Sequence, residues 1–248
     1  MPTHPTLRDI YAARRRIAGR IRRTPLWLSA SLSELTAHPV HLKLENTQHT
    51  GAFKLRGATN TLLSLDEAER GRGVVAVSTG NHGRAVASVA RDLGIEATIV
   101  ISTRVPGVKV DAMAALGAHL VVAGETQDDA DAEARRLVGQ EGLTFIHPFD
   151  DPRVIAGQGT IGIEILEDLP ELDTVVVPLS GGGLISGIAA ALKGADPALR
   201  VIGVSQDRGP AMVESLAAGH LVDVVEVDTL ADSLAGGLGP ENHHSFGI

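Results

Sequence analysis

Between residues 73 and 146 the sequence switches repeatedly between short apolar runs and longer amphipathic stretches. The runs are Val74-Val75-Ala76-Val77, Ala97-Thr98-Ile99-Val100-Ile101, His119-Leu120-Val121-Val122 and Leu143-Thr144-Phe145-Ile146. Helical spacing fills the intervals Asn81 to Leu93, Val108 to Leu116 and Gln127 to Gln140. An apolar run without alternation buries both faces of a strand, and strands separated by helices pair in parallel. The pattern returns at Thr174-Val175-Val176-Val177-Pro178-Leu179, with a helix to Leu192 and a strand at Arg200-Val201-Ile202-Gly203-Val204. The fold class is therefore α/β, with open, twisted, parallel-type sheets and helices on both faces. The 248 residues are enough for two modest domains.

Open sheets of this kind bind ligands beyond the carboxyl ends of their strands. Two loops there are chemically distinctive. Ser180-Gly181-Gly182-Gly183-Leu184 lies between a buried strand and a helix. Its glycines leave backbone N–H groups uncovered at a helix start, a cradle for phosphate; a tight turn without a ligand is the alternative. Ser78-Thr79-Gly80-Asn81-His82-Gly83 offers hydroxyls, an amide and helix N-terminal N–H groups, a good carboxylate site, and reads equally well as helix capping. Gly157-Gln158-Gly159-Thr160-Ile161-Gly162 matches the dinucleotide pattern literally, but no strand precedes it, so close helix packing is the expectation.

The remaining chemistry falls on lysine. The chain has 22 basic residues, of which only Lys43, Lys54, Lys109 and Lys193 carry a primary amine. Lys54 alone stands at an expected helix start, with Thr50 a candidate cap, Gly51 allowing the turn and a helical run to Leu65. A helix N-terminus favours the uncharged amine. Amine, anion loop and glycine cup together suggest a phosphorylated carbonyl cofactor held as an imine, which points to pyridoxal 5'-phosphate.

Composition narrows the partners. A net charge of −8 and 2% aromatic residues argue against nucleic acid. The arginines at 14, 15, 16, 20 and 22, on an expected helix from Asp9 to Arg22, with Arg23 just beyond it, read as a charged face pairing with acids elsewhere. Absence of cysteine excludes disulfides and Cys-ligated metals, and no histidine pair has metal-binding helix spacing. The polar start and the lack of an apolar run of about 20 residues give no membrane partner and a cytoplasmic default.

Taken together, Gly51-Ala52-Phe53-Lys54-Leu55-Arg56-Gly57-Ala58, Ser78-Thr79-Gly80-Asn81-His82-Gly83, Ala156-Gly157-Gln158-Gly159-Thr160 and Ser180-Gly181-Gly182-Gly183-Leu184 resemble the fold-type II pyridoxal-phosphate enzymes. The group is that of threonine/serine dehydratases and serine racemases, with a tryptophan synthase β-like fold. Ser78 to Val86, Pro148 to Pro152 and Gly203-Val204-Ser205 look most like hydroxyectoine-utilisation dehydratases within it. The resemblance implies that Lys54 holds the cofactor as a Schiff base and moves the α-proton. Phe53 is implied to pack on the cofactor ring, and Asn81 to bond its hydroxyl. Ser180, Gly181, Gly182, Gly183 and Leu184 are implied to bind phosphate, and Ser78, Thr79, Gly80, Asn81 and His82 the substrate carboxylate. It further implies a small substrate domain over residues 51–141, closing on a large cofactor domain from 1–50 plus 142–248. The implied enzyme is a homo-oligomeric dehydratase, a dimer or tetramer, acting on a threonine- or serine-like or hydroxyectoine-derived amino acid.

Three positions depart from the family pattern. Thr79 stands where racemases of this group carry a serine as second base, and Ser205 where many relatives carry a metal-binding glutamate, so no metal is expected. The family-like Leu234-Ala235-Gly236-Gly237-Leu238-Gly239 falls shortly before Ile248, whereas relatives continue. The expectation is a C-terminally shortened chain without the residue that faces the pyridine nitrogen. A racemase or β-replacement enzyme, or a non-catalytic cofactor binder, are the alternatives.

Overall fold

The apolar runs form strands and the spaced stretches helices in the computed structural model, which describes residues 4–248 except 79, 106, 226, 228, 240 and 241. Strands β3 (Val74–Val77), β4 (Ala97–Ile101), β5 (His119–Val122) and β6 (Thr144–Phe145) make one parallel sheet in the order β5-β4-β3-β6. All four residues of β3 are buried, as a central strand covered on both faces requires. Helices α3 (Lys54–Ser64) and α5 (Asn81–Leu93) cover one face, where Leu55, Leu62, Val86 and Ile99 share a core. Helix α7 (Gln127–Glu141) covers the other, with Val75, Val77, Val100, Ala134 and Leu137. Each fully buried valine, leucine or isoleucine contributes roughly 1.5–3 kcal/mol. Because β6 pairs with β3, this sheet runs to Phe145, four residues past the expected boundary at 141.

The second parallel pair, β7 (Thr174–Pro178) and β8 (Arg200–Val204), packs against α8 (Pro152–Asp168) and α9 (Gly183–Ala195). The glycines of α8 serve helix packing, as expected. A Cβ on Gly157 would lie 2.6 Å from Gly57 Cα, and one on Gly159 2.8 Å from the Gly187 carbonyl. Side-chain-free surfaces let α3, α8 and α9 cross closely.

Several local expectations change. The first helix, α1 (Leu7–Ile17), ends before the arginines at 20, 22 and 23, because Gly19 turns the chain at φ +76°. Arg14 and Arg23 pair with acids, both reaching Glu167 and Arg23 also Asp168, whereas Arg16 donates to Asn60 and Arg22 to the Thr47 carbonyl. Leu26–Leu28 forms a strand, β1, that pairs antiparallel with β2 (His41–Lys43), flanking α2 (Ala30–Thr36). Helices α4 (Glu67–Arg72) and α10 (Ala211–Ala218) have no counterpart in the sequence reading, and α6 occupies Gly107–Ala114. No helix among the described residues is long and apolar enough to cross a membrane.

Candidate active site

Lys54 is the first residue of α3, and the residue before it caps the helix without a side-chain bond. Thr50 is not that cap: its hydroxyl is buried and has no hydrogen-bond partner among the described residues. The helix start is held from behind instead. Arg56, 1% exposed, forks onto Glu45 at 2.8 and 2.9 Å and onto Glu164 at 2.6 and 2.9 Å. Lys43 joins at 2.7 Å from Glu164, so the buried cluster balances two cations against two anions.

The four lysines differ in their partners. Lys43 and Lys109 pair with carboxylates, and Lys193 donates to the Pro197 carbonyl at an exposed site. Lys54 Nζ donates to the Pro148 carbonyl at 2.6 Å and meets no carboxylate among the described residues. Burial lowers its pKa from 10.5 to about 8. The helix dipole invoked from the sequence is not needed for this shift; loss of hydration suffices. The Phe53 ring lies 5.4 Å from the amine.

The loop after β3 places Ser78 and His82 inward. Ser78 Oγ accepts from the Gly80 N–H at 3.2 Å. His82 is 4% exposed, and its Nε2 donates to the Ile146 carbonyl at 2.9 Å. A carbonyl can only accept, so Nε2 carries the proton. Burial first, and then the Lys54 charge, push the His82 pKa down to about 3, so the ring is neutral at physiological pH. The half-buried Asn81 opens α5, capped by Gly80. Thr79 lies outside the described residues.

The loop after β7 is enclosed. At Gly181 a Cβ would run into the Phe149 ring, and at Gly183 it would sit 2.6 Å from the Phe149 carbonyl. Gly182 has φ +87°, and a Cβ there would lie 2.9 Å from both Met212 Cε and Ser245 Cβ. No described residue accepts from the N–H groups of Gly181, Gly182 or Gly183. Three N–H groups at the start of α9 without a described acceptor suit a phosphate, and a buried amine whose pKa is lowered toward neutrality suits an aldehyde, so the residues present fit pyridoxal phosphate. Ser180 and Leu184 flank this cup and are half-buried.

One stretch was not assigned a role from the sequence: His147-Pro148-Phe149-Asp150, which follows β6. Pro148 receives Lys54, and Phe149 backs the cup. His147 Nδ1 accepts from the N–H groups of Phe149 and Asp150 at 3.2 and 2.7 Å, and its ring stands edge-on between Phe145 and Phe149. Burial first lowers its pKa to about 4. A usable signal existed: this too is a loop beyond the carboxyl end of a parallel strand. No group of three or more His, Asp or Glu side chains poised for a metal occurs among the described residues.

Comparison with known proteins identifies the family. The family model described as pyridoxal-phosphate dependent enzyme matches residues 17–245. An L-threonine ammonia-lyase of Thermotoga maritima is 48% identical over 230 residues, covering 93% of this chain and 57% of that protein. A catabolic L-threonine dehydratase of Escherichia coli is 46% identical over 224 residues, covering 90% and 68%. The structure of maize serine racemase superposes with a TM-score of 0.92 at 36% identity, covering 97% of this chain and 73% of that one.

Proposed function

The chain belongs to the pyridoxal-phosphate-dependent enzyme family, and from that premise we propose that it is a lyase converting a threonine- or serine-like hydroxy amino acid into the 2-oxo acid and ammonia. The observation that carries this reading is Lys54, a buried amine with a lowered pKa and a carbonyl as its only described hydrogen-bond partner. When bound, the cofactor supplies an aldehyde for a primary amine and an electron-poor ring that accepts charge from the substrate α-carbon.

Lys54 would be the residue that anchors the aldehyde, and its free amine would take the substrate α-proton. A group titrating near 8 is about one-tenth neutral at pH 7, enough to attack without a separate base. Phe53 would pack against the cofactor ring and Asn81 would bond its hydroxyl. The N–H groups of the Ser180-to-Leu184 loop would hold the phosphate at the positive end of α9. Ser78, Thr79, Gly80, Asn81 and His82 receive the substrate carboxylate. The His82 ring is already engaged with Ile146, so its backbone N–H is the group it offers. The neutral ring also adds no positive charge beside Lys54. In this reading residues 51–141, continued by β6, move as a small domain against the rest and exclude water on closing. The exposed side chains of Trp27, Leu28 and Leu35 support self-association into a homo-oligomer.

The test is to supply pyridoxal phosphate to the purified chain with threonine or serine. Oxo acid and ammonia appear in equal amounts, and Lys54→Ala lowers the rate by about 10³-fold or more. Appearance of the opposite enantiomer without ammonia overturns the lyase in favour of a racemase.

A further inference from the structure

Residues 242–246 take no part in the reading above, yet they pack directly behind the glycine cup. The Asp150 carboxylate accepts three successive backbone N–H groups: His243 at 2.7 Å, His244 at 2.9 Å and Ser245 at 2.8 Å. Asn242 Nδ2 donates to Ser245 Oγ at 2.9 Å; that hydroxyl's single proton has two acceptors in reach, the Gly181 carbonyl at 2.8 Å and Asn242 Oδ1 at 3.1 Å, and since Asn242 Oδ1 already accepts from the Phe246 N–H at 2.8 Å, the shorter bond to Gly181 takes it. Ser186, on α9, donates to the Ser245 carbonyl at 3.2 Å. Ser245 is 6% exposed. The cup is thus gripped from two sides, by Phe149 and by Ser245, and Asp150 ties the two grips together.

We propose that Asp150 and Ser245 are positioning residues for the phosphate cup: Asp150 fixes the 243–245 turn, and Ser245 holds the Gly181–Gly182 peptide in the orientation that turns its N–H toward an anion. The reason is peptide geometry. In a trans peptide the carbonyl and the N–H point in opposite directions. A hydroxyl that binds the Gly181 oxygen therefore aims the Gly182 N–H away from Ser245. Glycine peptides flip easily, since either sign of φ is open to them. A flipped peptide would present a carbonyl oxygen to the phosphate and repel it. The serine hydroxyl removes that alternative, and the carboxylate keeps the serine in place.

This inference rests on the cup binding the cofactor phosphate, so its test separates the two. Binding of pyridoxal 5'-phosphate and of pyridoxal, which lacks the phosphate, is measured on the full chain and on Ser245→Ala, Asp150→Asn and the double variant. The unmodified chain prefers the phosphorylated aldehyde strongly. Each single change weakens pyridoxal 5'-phosphate by about tenfold, the loss of one hydrogen bond, and leaves pyridoxal unchanged. The double variant loses no more than the larger single loss, because both residues act along one chain of bonds. An equal loss for both aldehydes, or no loss for either, overturns the positioning role. If the unmodified chain does not distinguish the two aldehydes, the phosphate cup itself is refuted, and the positioning role falls with it.

Discussion

After β3 the chain runs through Ser78, Thr79 and Gly80 into α5; after β7 it runs through Ser180, Gly181 and Gly182 into α9. Both are strand, serine, glycine, helix, at the carboxyl end of a parallel pair. They are held in opposite ways. The first loop is held by its own side chains, with Ser78 bonded to the Gly80 N–H and His82 to Ile146, while a Cβ on Gly80 would meet nothing within 4 Å. The second is held by side chains brought from elsewhere, Phe149, Met212 and Ser245, and each of its glycines is needed to let them in. A loop that must surround a phosphate with bare peptide cannot anchor itself, so its neighbours do so. A loop that offers hydroxyls and an amide can spend one of them on its own shape.

The largest effect should come from breaking the enclosed loop. Gly181→Ala drives a methyl into the Phe149 ring, whose own backbone carries Pro148, the acceptor for Lys54. Overpacking of this kind costs about 1–3 kcal/mol. The displaced ring also shifts the cup and the lysine acceptor together. We expect a fall in the urea midpoint and weakened binding of pyridoxal phosphate, both readable by titration. Unchanged binding would mean that the enclosure is incidental to the cup.

That dependence could not be read from the sequence, for a physical reason. The strands and helices of the four-stranded sheet were legible because burial on both faces dictates continuous apolar runs, as at Val74 to Val77. The bounds of α5 follow from the sequence to the residue, since Gly80 and Gly94 bracket it, and β8 occupies the expected Arg200–Val204. Lys54 was legible from its helix start together with the two anion loops; Lys109 also lies in the first turn of a helix, α6, but pairs there with Asp232. The hub at His147 to Asp150 was not, because its work is done through a proline carbonyl, a ring edge and a carboxylate that caps backbone 93 to 95 residues away. Backbone acceptors and long-range caps leave no periodicity. The arginine run misled the length of α1 for a related reason: helical spacing continues past Gly19, but the backbone does not.

The self-anchored loop should show itself in acid. His82 is neutral in the folded chain, with its pKa lowered to about 3 mainly by burial; unfolded, it titrates near 6.5. Between those values the unfolded chain binds the extra proton, so stability is full above pH 6.5 and falls as pH drops. His147 adds a loss of the same sign down to about 4. The slope limit is about 1.4 kcal/mol per pH unit for each histidine. Urea midpoints at pH 7, 6 and 5 should fall progressively, and His82→Leu should flatten the decline while lowering the pH 7 value, because the Ile146 carbonyl loses its donor. An unchanged slope in that variant would show that the inward ring does not hold the loop.

The smallest effect is expected at Gly83, the glycine of the first loop that does lie close to its neighbours. A Cβ there would be 2.8 Å from Met113 Sδ and 3.1 Å from Ile99 Cγ2. The first contact is the thioether of a flexible side chain, which can swing aside, and helix propensity favours alanine over glycine by about 0.8–1 kcal/mol. The two terms oppose each other, so Gly83→Ala should change stability by less than about 1 kcal/mol and leave cofactor binding intact. A loss as large as that of Gly181→Ala would mean that the first loop, too, depends on close packing from outside, and that its inward serine and histidine do not suffice to hold it.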